Sequence, residues 1–130
     1  MKRFVAILGL LAAGLAAPLH GQKVDREGKI WLEAKQGAPE VNVSGTWTSK
    51  DWGRVILNQA EGAREVVGKG DGWSVLGAVA GNKVYLLFSS GNRIIYSAEL
   101  TADSPTTLTG AWCRGLLFPG TKTKAMHLSK

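Results

Sequence analysis

The feature that most limits the fold of this chain lies between Asn42 and Lys130, where short apolar or alternating stretches are each closed by a turn. The stretches cover about residues 42 to 49, 53 to 60, 63 to 69, 73 to 80, 83 to 89, 93 to 101, 106 to 114 and 122 to 129. Between them stand Asp51-Trp52-Gly53, Glu61-Gly62, Gly70-Asp71-Gly72, Gly81-Asn82, Ser90-Gly91-Asn92 and Asp103-Ser104-Pro105. Glycine and asparagine accept the positive φ of tight hairpins, and proline presets a turn. Connections this short join antiparallel neighbours, because a parallel pair needs a crossover of about a dozen residues. The expected fold is all-β, an eight-stranded antiparallel up-and-down meander.

A period of two sorts the side chains onto two faces. One face gathers Val43, Trp47, Val55, Leu57, Val75, Val79, Val84, Leu86, Phe88, Ile94, Tyr96, Ala98, Leu100, Leu108, Trp112, Met126 and Leu128, while the other carries mostly polar and charged residues. One buried face and one wet face suit a sheet wrapped around its own core, and closing it into a small barrel removes the exposed edges. A two-sheet sandwich satisfies the same alternation. Large side chains on the inner face predict a mostly filled interior with at most a shallow pocket at the mouth. The segment from Gly115 to Thr121 is expected to be a lip loop, its Leu116, Leu117 and Phe118 tucked over a barrel end.

Val43-Ser44-Gly45-Thr46-Trp47 and Leu108-Thr109-Gly110-Ala111-Trp112 repeat one order of residue types. A glycine inside a strand suggests a bend or a close approach. In a closed meander the two tryptophans can then meet around one end of the core; the alternative is a chance similarity between five-residue strings in a glycine-rich β chain.

Gly45-Thr46-Trp47, the run from Trp52 to Gln59, the hairpin Gly77-Ala78-Val79-Ala80-Gly81-Asn82 and the late Gly110-Ala111-Trp112 together resemble small secreted bacterial β-barrel modules related in architecture to lipocalins and avidins. The resemblance extends over roughly residues 42 to 130. It implies an eight-stranded up-and-down barrel and a habit of binding at the mouth. It carries over no set of ligand contacts beyond Trp47 and names no ligand.

Ahead of the barrel, Met1-Lys2-Arg3 and the apolar run Phe4 to Ala17 read as a secretory signal peptide, residues 1 to 21, because the run is shorter than the roughly 20 residues that span a bilayer. Stable membrane insertion after cleavage is not expected, and the mature chain is expected to be secreted or periplasmic. Residues 22 to 41 form a polar N-terminal arm with one apolar island, Ile30-Trp31-Leu32, that packs on the domain or on a partner, and no convincing amphipathic helix is expected after cleavage. The β-barrel domain is residues 42 to 130. Losing residues 1 to 21 removes Lys2 and Arg3 and no acid, taking the formal charge from +6 to +4. The bases are scattered, without the aromatic-interleaved stripe that tracks phosphates, so no nucleic-acid partner is expected.

Little in the chain points to bond-breaking chemistry. His127, the one histidine of the mature chain, alternates away from the core, and no nucleophile-elbow motif accompanies it. Cys113 is the sole cysteine; it forms no internal disulfide and reads as a buried small hydrophobe. One cysteine and one histidine do not assemble a metal site, and Glu99 with Asp103 makes only a remote carboxylate pair. The expectation is therefore no enzyme, no metal and no cofactor.

Five tryptophans in 130 residues are the unusual asset. Trp31, Trp52 and Trp73 lie in the arm or beside turns, where aromatics make a stacking platform at a barrel rim. The same rings can instead plug the barrel ends. Two functions follow: a non-enzymatic module recognising a small ligand or a surface through its rim and turns, or a protein-partner or inhibitor module acting through the arm.

Overall fold

The computed structural model describes residues 26–130; the expected signal peptide, residues 1–21, and the start of the arm lie outside the described residues. A helix, α1 (Arg26–Glu33), precedes eight strands: β1 (Gly45–Ser49), β2 (Gly53–Gln59), β3 (Glu65–Gly70), β4 (Trp73–Ala80), β5 (Lys83–Ser90), β6 (Arg93–Ser104), β7 (Thr107–Arg114) and β8 (Lys124–Ser129). They follow one another around a single closed barrel, each antiparallel to its neighbours, so the sheet is not split into a sandwich. The inward set packs as expected, with Val55, Leu57, Val75, Val79, Val84, Leu86, Phe88, Leu100, Leu108 and Leu128 all buried in one core. The barrel closes where Thr48 of β1 pairs with Ser129 of β8. That seam is reinforced from Lys130, whose backbone N–H donates to Thr106 O at 3.0 Å and whose Nζ donates to Ser44 O at 3.0 Å.

The first strand begins at Gly45, later than the expected Asn42, because a side chain replaces the ladder there. Buried Gln59 accepts the Val43 N–H on Oε1 at 2.8 Å and donates from Nε2 to Val41 O at 3.1 Å and Ala63 O at 2.8 Å. The Ser44 hydroxyl accepts the Gln59 N–H at 2.8 Å and donates to Gln59 O at 2.9 Å. A buried polar group with every partner in place fixes geometry, and one that loses its partners costs about 1 to 3 kcal/mol. Gln59→Leu, which keeps the volume and removes the polar atoms, is expected to lower stability by about 2 kcal/mol in urea denaturation. A loss below about 0.5 kcal/mol would show that the network is dispensable.

One inward assignment is corrected. The ladder between β5 and β6 shifts between Phe88 and Ser89, pairing Phe88 with Tyr96 but Ser89 with Ile94. The extra residue flips the alternation, so Tyr96 stays inside while Ile94 turns to the outer wall and joins a second apolar cluster.

The arm is corrected too, since it carries a helix. Gly28, Trp31 and Leu32, spaced i, i+3, i+4, form the buried face of α1. They pack on the outer wall, where Leu76, Ala78 and Leu87 are buried on the face expected to be wet. An eight-residue helix is marginal in water, so docking stabilises it. Gly28, a poor helix former, is what allows the approach: a Cβ there would collide with the Ile94 side chain and stand 3.0 Å from Leu87 Cδ1. The chain beyond the helix is strapped to the β4–β5 turn, with the Glu40 N–H donating to Gly81 O and the Gly81 N–H to Ala38 O, both at 2.8 Å. The loop after β7 is drawn sideways as well: Leu116 and Leu117 join the wall cluster instead of capping the barrel end, and Phe118 is left 54% exposed.

Candidate functional site

Two turns and residues of three further strands build one mouth of the barrel. Asp51 and Trp52 sit in the β1–β2 turn, Asp71 leads the β3–β4 turn, and Trp73 opens β4. Tyr96 is inward through the continuous register that pairs it with Phe88 and Ala98 with Leu86, ahead of the bulge, and Trp112 through its pairing with Ala98. The Trp52, Tyr96 and Trp112 ring planes are mutually perpendicular: Trp52 to Tyr96 at 5.3 Å and 90°, Trp52 to Trp112 at 5.2 Å and 88°, Tyr96 to Trp112 at 5.2 Å and 89°. Such edge-to-face contacts are favourable for aromatic pairs. Beneath them, Trp52 lies 4.7 Å from the fully buried Phe88, so the rings rest on the core. Trp73 completes the set, 5.3 Å from Tyr96.

The four upper rings are only half-buried, and with Asp51, Gly53 and Asp71 they line an open recess of about 400 Å³. Gly53 is favoured there by its φ of +69°, and a Cβ would stand 2.8 Å from Asp71 Oδ2, the end of an exposed side chain. Neither the Asp51 nor the Asp71 carboxylate has a hydrogen-bond or ion-pair partner among the described residues. Two cations lie over ring faces, Arg114 at 5.8 Å from Tyr96 and Lys124 at 5.7 Å from Trp112.

Of the expected rim tryptophans, Trp52 and Trp73 are brought together and Trp31 is not. Trp31 is 4% exposed on the side wall under α1, donating from Nε1 to Leu117 O at 2.8 Å, edge-on to Tyr85 and covered by Lys35 Nζ at 4.5 Å. Burial, and then the charge of Glu99, raise the Tyr85 phenol above its usual pKa. Alternation by itself assigns Tyr96 and Trp112 only to the core face. The ladder sets Tyr96 opposite Phe88 and Trp112 opposite Ala98, further into the strands than Trp73, so no turn signal marks them as rim residues. Of the two readings of the repeat, the one in which Trp47 meets Trp112 does not hold: Trp47 donates from Nε1 to Val43 O at 2.8 Å and lines a different recess, of about 340 Å³, with Val43 and Leu108. The two repeated glycines also differ, Gly45 taking φ +141° under Lys130 while Gly110 faces the backbone of β6.

Elsewhere, His127 is exposed on the outside of β8 opposite Thr109. Cys113 is buried, its Sγ 3.7 Å from Ser97 Oγ. Glu99 and Asp103 have separate environments, Glu99 beside Tyr85 and Asp103 accepting from Thr109 Oγ1. Beside α1, a recess of about 200 Å³ mixes Lys29 and Arg64 with Glu33 and Glu65, and burial raises the Glu65 carboxyl pKa. No group of three histidine, cysteine, aspartate or glutamate side chains suited to a metal occurs among the described residues, and no helix among them is long and apolar enough to cross a membrane.

Set against protein-family models, curated proteins and solved structures, the chain matches none. Its likeness to lipocalins and avidins therefore rests on architecture, an eight-stranded antiparallel closed barrel.

Proposed function

We infer that the chain is an exported, non-enzymatic binding module that takes a small ligand at the aromatic mouth. The observation that carries this reading is the gathering of Trp52, Trp73, Tyr96 and Trp112, all half-buried, around one open recess of about 400 Å³. Aromatic area left in water is unfavourable for the free protein, and it becomes favourable when a ligand covers it. The volume lies within the range of small-molecule sites, about 300 to 1,000 Å³. Phe88 closes the floor, so a ligand rests in the mouth and does not enter the barrel. The reading in which the arm captures a protein partner loses its anchor, because Trp31 and Leu32 are buried on the chain's own wall.

The five indole N–H resonances provide the test. Ligands found in a small-molecule screen are expected to shift those of Trp52, Trp73 and Trp112 and to leave buried Trp31 and Trp47 in place. Trp112→Ala should weaken binding at least about tenfold, the loss of one aromatic contact worth roughly 1.5 kcal/mol. Hits that move only Trp31 or Trp47, or a Trp112→Ala variant that binds normally, would place the ligand elsewhere.

A further inference from the structure

The lining of the mouth also bears on what kind of ligand it takes, an inference that rests on the mouth being the binding site. The recess is walled by four aromatic rings and by the carboxylates of Asp51 and Asp71, and no basic side chain is part of its lining. Those two carboxylates have no partner among the described residues. The Asp71 carboxylate leans over Gly53, within 2.8 Å of where a Cβ would be, toward the turn that carries Trp52. The faces of electron-rich rings attract cations, most strongly when the cation is poorly hydrated, and unpaired carboxylates beside them add to that attraction. The mouth already behaves in this way toward its own chain: Lys124 Nζ stands 5.7 Å from the Trp112 ring and the Arg114 guanidinium 5.8 Å from Tyr96. Both lie near the outer limit of about 6 Å for such contacts. A neutral sugar would stack on the rings but leave both carboxylates uncompensated; an anion would face them directly.

We propose that the aromatic mouth selects small organic cations, with a methylated ammonium as the head group seated among Trp52, Trp73, Tyr96 and Trp112 and its charge balanced by Asp51 and Asp71. A quaternary ammonium fits better than a primary amine because it gives up little hydration on entering. Lys124 acts as a weak internal competitor, repelling the incoming cation while occupying part of the Trp112 face.

The experiment is a titration of the full-length mature protein with choline, its neutral carbon isostere 3,3-dimethyl-1-butanol, glucose and acetate, followed by tryptophan fluorescence and by the indole N–H resonances. Choline is expected to bind saturably, at least about tenfold more tightly than the neutral isostere, and to move the mouth tryptophans. The Asp51→Asn, Asp71→Asn double variant changes two exposed turn side chains and is expected to fold normally while binding choline about tenfold more weakly. Lys124→Gln is expected to tighten choline binding about two- to threefold. Equal binding of choline and the isostere, or no effect of the double variant, would overturn the cation assignment. Binding of glucose or acetate in place of choline, with the mouth resonances moving, would overturn it while leaving the mouth as the site. Choline binding that shifts only Trp31 or Trp47 would instead remove the mouth itself. Absence of binding by any of the four, with the mouth responding to other screened ligands, would equally reject the cation class.

Discussion

Replacing Gly110 by alanine is expected to lower stability by about 3 kcal/mol or more, at the upper end of overpacking penalties, read as a fall in the urea midpoint at unchanged slope. Gly110 lies between Leu100 and Met126, two inward positions of β6 and β8. A Cβ on it would run into the Glu99 carbonyl oxygen and stand 2.8 Å from Leu100 Cα. Those are main-chain atoms of the adjoining strand, which cannot rotate aside as a side chain does, so the β6–β7 ladder must open. Gly68 against the Ile56 carbonyl and Gly77 against the Tyr85 carbonyl are built alike. At these three glycines the neighbouring strand's main chain comes too close for a side chain, as a sharply curved small barrel requires. Gly62→Ala provides the contrast: its φ is +77° with nothing within 4 Å, so only backbone strain of about 1 kcal/mol is expected. If the two variants were equally destabilised, crowding at Gly110 would not be the cause.

Trp31→Ala is expected to cost about 3 to 5 kcal/mol and to release the arm. The substitution removes an indole 4% exposed, its hydrogen bond to Leu117 O, its edge contact with Tyr85 and the seat of Lys35. An unanchored α1 is too short to persist, so the Leu76, Ala78 and Leu87 wall would be wetted. Trypsin should then cut after Lys29 and Lys35 much faster than in the parent chain while the barrel retains its β signal in circular dichroism. The control Ile30→Ala, at a side chain 53% exposed on the same helix, should stay within about 0.5 kcal/mol of the parent. A Trp31→Ala protein with parental stability and protease resistance would mean the helix is not held by this side chain.

Much of the barrel was legible because alternation and turn chemistry are local signals. Hairpins with short connections force neighbouring strands to pair, and the inward apolar set then follows by parity. What parity misses is anything that resets it. Parity alone puts Ile94 inward, because the bulge beside Ser89 leaves no mark in the residue types around it. The helix was missed for a similar reason. Only the outer wall supplies the apolar surface that makes Gly28, Trp31 and Leu32 one face. A signal for that wall was present: β4 and β5 contain Val75-Leu76-Gly77-Ala78-Val79-Ala80 and Val84-Tyr85-Leu86-Leu87-Phe88, runs too continuously apolar for strands with a wet side.

For the site, the sequence by itself determined that aromatics would flank turns, and it placed Trp52 and Trp73 beside the turns that carry Asp51 and Asp71, since such turns sit at strand ends. Only the tertiary structure decided which rings share an end. Tyr96 and Trp112 are distant in sequence from Trp52 and meet it through the register of β5, β6 and β7, a property of ladders summed around a closed sheet. Trp31 went to the side wall because dehydrating it against Leu76 and Leu87 is more favourable than leaving it at a solvated rim, and that comparison exists only once the wall has formed.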